Sequence, residues 1–270
     1  MLNDYIFQTD KLFFKHNISE NMTPNTYSMH IHNAYELIYF LDGDATHVIE
    51  DRKYKLKKGD LIIIRPMQYH FIQIDSVSRY ERIDILFDAE KHGIQGFELL
   101  PKNAEIINIE ENIIAKDIFK KCDIYYQNCK EDIFGNILCH MLSELFYNIY
   151  IFPHTLSKNS SSLSPLISDA LQYINENLCS INVISEIAKK LFVSESYLFR
   201  LFKKELHQTP KKYICEKRLL LAQKMLFDGK KPTDVSEECG FFDYTTFYRN
   251  YTARFGYSPS QTESKHLSEM

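Results

Sequence analysis

The sequence predicts a two-domain α+β protein, with a β-rich barrel and following helices at the N-terminus and an all-α domain at the C-terminus. Three observations predict it. Short strand-like runs crowd the first 100 residues, and the apolar period turns helical near Asn108. A Ser- and Asn-rich stretch, 154–165, is then followed by helical pattern alone. The expected segments are a barrel at 1–105, a helical pair at 106–153, a linker at 154–165 and a helical domain at 166–262.

The barrel strands read YELIYFL, THVIE, KYKL, DLIIIRP, HFIQI and ERIDILF, all rich in Ile, Tyr, Phe and Leu. Turn signals separate them at Asp42-Gly43, Asp51-Arg52, Lys58-Gly59 and Pro66. So many short strands without an intervening helix imply an antiparallel sandwich or small barrel. In the next segment Ile114, Ile118 and Ile124 or Tyr125 mark one helix. Phe134, Leu138, Met141, Leu145 and Ile149 mark a second, stepping by four or three along one face, and Pro153 ends the pair.

Beyond the linker the helical pattern is broken in two similar places. INVISEIAKKLFVSESYLFRLFKKEL places Ile184, Ile187, Ala188 and Leu191 on a short helix. A turn at Phe192-Val193 and an N-cap at Ser194 lead into a helix with Leu198, Leu201 and Phe202. KPTDVSEECGFFDYTTFYRNYTARFG repeats the plan, with Val235 and Cys239, a left-handed turn at Gly240, a cap at Asp243, then Phe247 and Tyr251. Each is a helix-turn-helix layout, whose second helix suits the DNA major groove.

Composition narrows the function classes. The chain has 270 residues, 44% hydrophobic and 25% charged, which excludes collagen-like and wholly disordered architectures. None of the six cysteines forms a C-x-x-C pair, and none falls in the first 100 residues, so a zinc ribbon and a secreted disulfide scaffold are both excluded. With no signal-peptide pattern and no apolar run of membrane-spanning length, a soluble cytoplasmic protein without membrane contact is expected.

The stretch 166–259, about a third of the chain, resembles the double helix-turn-helix domain of the AraC/XylS family of transcriptional regulators. The resemblance is carried by SEIAKKLFVSESYLFRLFKKEL, the RLLLAQKML linker helix, and Gly240-Phe241, Phe247, Arg249, Phe255-Gly256 and Pro259. It implies a sequence-specific DNA-binding regulator that is not an enzyme. Its partners would be double-stranded operator DNA, a second copy of the chain and, for an activator, RNA polymerase. The family pattern puts one recognition helix at 194–205, presenting Ser196, Phe199 and Arg200, and the other at 243–254, presenting Tyr244, Thr245, Tyr248 and Arg249. Two such helices would read successive major grooves about 34 Å apart. Lys203, Lys204, Lys211 and Lys212 suit phosphates, which give affinity without sequence information. Thr252-Ala253 and Glu263 depart from the basic residues usual there, which implies a weaker backbone grip by the second unit.

MHIHNAYELIYFLDG and GDLIIIRPMQYH resemble the paired signatures of the cupin barrel, the usual sensor of such regulators. The resemblance implies a small-molecule effector, a sugar or related metabolite, in a pocket lined by His30, His32, Tyr35, Glu36 and His70, with Tyr39, His47 and Tyr69 beside it. Strand alternation puts His30 and His32 on one face. The reading adopted needs no cofactor. The alternative is a cupin metalloenzyme in which His30, His32, Glu36 and His70 hold Zn, Fe, Mn or Ni. A ligand-sequestering protein with a degenerate DNA domain is a third. In regulators of this type the helices at 108–152 are implied to dimerise, with the Phe134–Ile149 stripe either in that contact or against the barrel. The net charge of -4 is itself an average. Residues 1–160 carry -6 and residues 161–270 carry +2, so the basic side of the molecule coincides with the helix-turn-helix units.

Overall fold

The computed structural model describes residues 5–9, 12–26, 29–102, 104–152, 154–156 and 160–262. Pro153 and Glu263 lie outside them. The chain divides into two compact units. One is a barrel unit built from the N-terminal residues and 34–161. The other is a helical unit from 162 onward, with which 28–33 also groups.

In the barrel unit, β1 (Tyr5–Thr9), β2 (Leu12–Met22), β3 (Asn25–Thr26) and β4 (Tyr35–Asp42) precede a run of short strands. These are β5 (Ala45–Ile49), β6 (Arg52–Lys55), β7 (Asp60–Ile64), β8 (His70–Ile74), β9 (Ser78–Phe87), β10 (Ile106–Asn108), β11 (Thr155–Leu156) and β12 (Ser160–Ser162). They form a seven-stranded sheet, β1-β2-β9-β4-β7-β10-β11, and a five-stranded sheet, β12-β6-β5-β8-β3. β4 is apolar at nearly every position because both of its faces are buried. Ile38 and Phe40 join Ile72 and Ile74 of β8 between the sheets, while Leu37 and Tyr39 face the opposite way.

That opposite face is covered by α1 (Ile113–Asn128) and α2 (Glu131–Ile151). The Asn112 side chain caps α1 by accepting from the Ala115 amide at 3.0 Å. Phe134, Leu138, Met141, Leu145 and Ile149 are all buried against the sheet, with the Phe134 ring edge-on to Phe7 and Phe14 at 5.0 and 5.4 Å. The stripe that could have formed a dimer seam is therefore core. Each such side chain stabilises the unit by about 1.5 to 3 kcal/mol, which an exposed stripe would forgo.

His16 of β2 ties α1 to the sheet. Its Nδ1 lies 2.9 Å from Asp123 and its Nε2 3.0 Å from Glu81 of β9, with Tyr5 edge-on at 6.1 Å and Arg79 pairing the other Glu81 oxygen. Burial depresses the imidazole, but the hydrogen bonds and charges of Asp123 and Glu81 outweigh it and the net shift is upward. A raised folded-state value means stability fully present below the ordinary 6.5 and lost as pH rises through the folded value. Thermal melts should therefore show a decline in stability as pH rises above 6.5 that His16→Gln flattens; parallel profiles would show that His16 contributes nothing.

The helical unit comprises α3 (Pro165–Glu176), α4 (Ile184–Lys190), α5 (Glu195–Leu206), α6 (Pro210–Phe227), α7 (Pro232–Glu238) and α8 (Tyr244–Phe255). Ser194 and Asp243 cap α5 and α8 through their side-chain oxygens, as their sequence positions predict, and Thr209 caps α6 in the same way. The first helix-turn-helix buries Ile187, Ala188, Leu198 and Phe202. The second packs Val235, Cys239, Phe247 and Tyr251 against Leu219, Ala222 and Leu226 of α6. Among the described residues no helix is long and apolar enough to cross a membrane.

Candidate nucleic-acid interface and effector site

Amphipathicity determines what α5 and α8 present. In α5 the buried side carries Leu198, Phe202 and Leu206, which leaves Ser196, Arg200, Lys203 and Lys204 exposed. Phe199 is half-buried, so it contributes less to this face than its family position implies. Tyr197, passed over in the sequence, joins the face, with the Arg200 guanidinium 5.8 Å above its ring. In α8, burial of Phe247 and Tyr251 leaves Tyr244, Thr245, Tyr248 and Arg249 exposed together. Arg254, one turn further on, bonds Glu216 at 2.8 Å. Lys211 and Lys212, exposed on the first turn of α6, line a groove of about 570 Å³ with Asn250 and Ala253 of α8.

A second arrangement joins the two helix-turn-helix units. Arg218, midway along α6, donates to the carbonyls of Leu178 at 2.8 Å, Ile181 at 2.6 Å and Gly240 at 2.6 Å. The first two carbonyls lie between α3 and α4, and the third lies in the turn of the second unit. Burial holds the guanidinium below its ordinary value, with nearby Cys179, Cys215 and Cys239 acting the other way. Gly240 (φ 77°) packs so closely that a Cβ there would sit 2.1 Å from the Cys179 carbonyl oxygen.

In the barrel, the face of β4 that carries Glu36 turns inward. A Glu36 oxygen lies 2.9 Å from Nε2 of His70 on β8, whose Nδ1 sits 3.0 Å from the Gln68 carbonyl. His47 of β5 stacks on His70 at 5.9 Å. Sequence reading missed two residues of this face. Arg82 donates to Asp84 at 2.9 Å and to the Tyr80 oxygen at 3.1 Å, and Lys15 stands opposite Asp84 in the β2–β9 register. Their signal was present in ERIDILF, where alternation puts Arg82 and Asp84 on one side and the isoleucines on the other. Asp84 is 4% exposed, and one of its oxygens has no hydrogen-bond partner among the described residues. Burial pushes its carboxyl upward while Arg82 pulls against the rise.

The tyrosines expected in the pocket lie elsewhere. Tyr35 stacks on Phe87 at 5.6 Å and Tyr39 on Phe119 of α1 at 4.4 Å, so both point to the helix-covered face, away from Glu36. The cause is the period-two alternation of β4, which cannot bring residues 35, 36 and 39 to one side. Tyr69 is fully buried just before β8. His30 and His32 have rings 6.2 Å apart on the stretch 28–33, which groups with the helical unit. His30 makes only an isolated bridge and neither lies in a barrel strand, so their side chains come together, with ligand nitrogens within 4.8 Å of each other, without the strand alternation expected for them.

Comparison with known proteins agrees with this division. Residues 18–92 match the profile of the AraC-like ligand binding domain, and residues 187–265 match a helix-turn-helix domain profile. The Msm operon regulatory protein of Streptococcus mutans is 31% identical, over 86% of this chain and 84% of its own. The lactose operon transcription activator of Staphylococcus xylosus is 24% identical over 81% and 80%, and the transcriptional activator RhaR of Escherichia coli is 21% identical over 97% and 95%. With a ligand-binding domain, a helix-turn-helix domain and a relative of this identity along most of its length, the chain belongs to the AraC/XylS family of transcriptional regulators.

Proposed function

We propose that this regulator reads operator DNA with α5 and α8, and that the inward polar face of its barrel takes a small hydroxylated effector such as a sugar. The observation that carries the effector reading is the set Glu36, His47, His70, Arg82 and Asp84, which mixes donors with acceptors around a buried carboxylate oxygen lacking a donor. A sugar hydroxyl supplies that donor and accepts in return. The Staphylococcus xylosus relative, named for a lactose operon, supports the same class. Effector binding shifts the population of DNA-competent arrangements, and activation adds contact with RNA polymerase. The chain acts as a homodimer through its helical pair, whose outer side leaves Ile113, Ile124, Tyr150 and Ile151 exposed.

Thermal-shift screening of sugars tests the effector reading, because a ligand that binds only the folded state raises its melting temperature. A hit abolished by Asp84→Asn supports it; no response across the sugar panel sinks it. Metal analysis separates the metalloenzyme alternative: near-stoichiometric metal lost on His32→Ala, with an accompanying activity, would replace the regulator reading of the barrel. For DNA, mobility shift with the upstream region of the neighbouring operon should show salt-sensitive, sequence-dependent binding. Arg200→Ala and Arg249→Ala should each cost about 1 to 3 kcal/mol and relax specificity at one base position. Uniform weakening across all sequences would make these arginines phosphate contacts.

A further inference from the structure

The second recognition helix carries a surface that positive charge does not explain. Phe242, immediately before the α8 cap, is 100% exposed. It is not on a loose loop. The Phe241 amide donates to the Ser236 carbonyl at 3.0 Å, the Phe241 ring packs on Phe247 at 5.1 Å, and Asp243 accepts from Thr246 at 2.7 Å. The turn is thus fixed on both sides of Phe242 and holds its ring out into solvent. Tyr244 and Tyr248, 39% and 44% exposed with rings 6.2 Å apart, extend the aromatic surface along the outer face of α8. The cations of this helix are Arg249 and Arg254, and Arg254 is already paired to Glu216. By contrast, α5 presents Arg200, Lys203 and Lys204 together.

This inference rests on the DNA-reading assignment of α8. The N-terminal end of a recognition helix is the part that meets base edges, and the aromatic surface begins there. A phenyl ring neither donates nor accepts a hydrogen bond, so it cannot read the polar edges of a base pair. The apolar group that the major groove offers is the thymine C5-methyl. We propose that Phe242, with Tyr244 and Tyr248, reads thymine methyls, so that the half-site of the second unit is thymine-rich and bound chiefly by apolar contact. The first unit supplies most of the phosphate attraction.

The probe is a duplex selected by the full-length protein from a randomised pool, footprinted, then resynthesised with single thymines replaced by deoxyuridine. This removes one methyl and leaves every hydrogen-bonding group in place. At one or more positions in the second half-site the wild-type protein should lose about fourfold in affinity, the worth of one buried methyl-sized group. Phe242→Ala should bind the thymine duplex correspondingly less tightly and no longer distinguish the uracil duplex. An unchanged melting temperature shows that the variant is folded, as expected for an exposed side chain. The salt dependence should be unchanged in Phe242→Ala and shallower in a Lys203→Ala, Lys204→Ala double variant. Equal binding of thymine and uracil duplexes by the wild type, with sequence preference retained, overturns the methyl reading alone. Absence of any sequence-dependent duplex binding overturns the DNA-reading assignment itself.

Discussion

Gly240→Ala should cost about 3 kcal/mol or more of stability and abolish DNA binding, as measured by urea denaturation and mobility shift. Two costs add. A residue with a Cβ in the left-handed region pays about 1 to 2 kcal/mol, and the new carbon would sit 2.1 Å from the Cys179 carbonyl oxygen. That atom is backbone, so the turn between α7 and α8 must move away, which costs about 1 to 3 kcal/mol more in packing. Gly256 provides the control within the same unit. It has φ 80°, but among the described residues no atom beyond its chain neighbours lies within 4 Å of a Cβ placed there, so Gly256→Ala should pay only the backbone cost. If the two variants were equally destabilised, the close approach at Gly240 would be irrelevant.

Gly240 also shows what the sequence could and could not reveal. Its left-handed turn was readable from a glycine between a helical run and an Asp cap, whereas its contact with Cys179, 61 positions earlier in the chain, was not. The same division holds elsewhere. Strand and helix positions follow local patterning, so all six barrel runs read from the sequence recur as β4 to β9, and the caps at Ser194 and Asp243 form as expected. What a face packs against is not local. The Phe134–Ile149 stripe carried the same spacing whether it met another copy or the sheet, and only the three-dimensional arrangement shows that it meets the sheet. At the barrel, the cupin resemblance drew attention to Tyr35, while Arg82 and Asp84 belong to no motif that would single them out. Alternation was the better guide there, since it separates Tyr35 from Glu36 and puts Arg82 beside Asp84.

Arg218→Ala should loosen the link between the two helix-turn-helix units and change how they measure DNA. Arg218 bonds three carbonyls, two before α4 and one in the turn before α8, from a single position on the connecting helix. Hydrogen bonds to charged donors contribute about 1.5 to 3 kcal/mol each when fully formed, and less when shared on a half-buried group, so about 3 kcal/mol in total is expected. Arg218→Lys should recover little of it, because an ammonium on a flexible stem cannot match a planar guanidinium that reaches three carbonyls at once. Lost stability alone would not reveal the role. The informative measurement is affinity for duplexes whose two half-sites are moved apart by one or two base pairs. A rigid pair of readers binds well at one spacing, since each added base pair shifts and rotates the second groove away from its helix. The wild type should discriminate steeply among the spacings. Arg218→Ala, assayed at a temperature where it is fully folded, should bind the preferred duplex about tenfold more weakly and discriminate less. If its spacing preference stayed as steep as that of the wild type, the packing of α6 alone would fix the separation, and Arg218 would serve only to cap buried carbonyls.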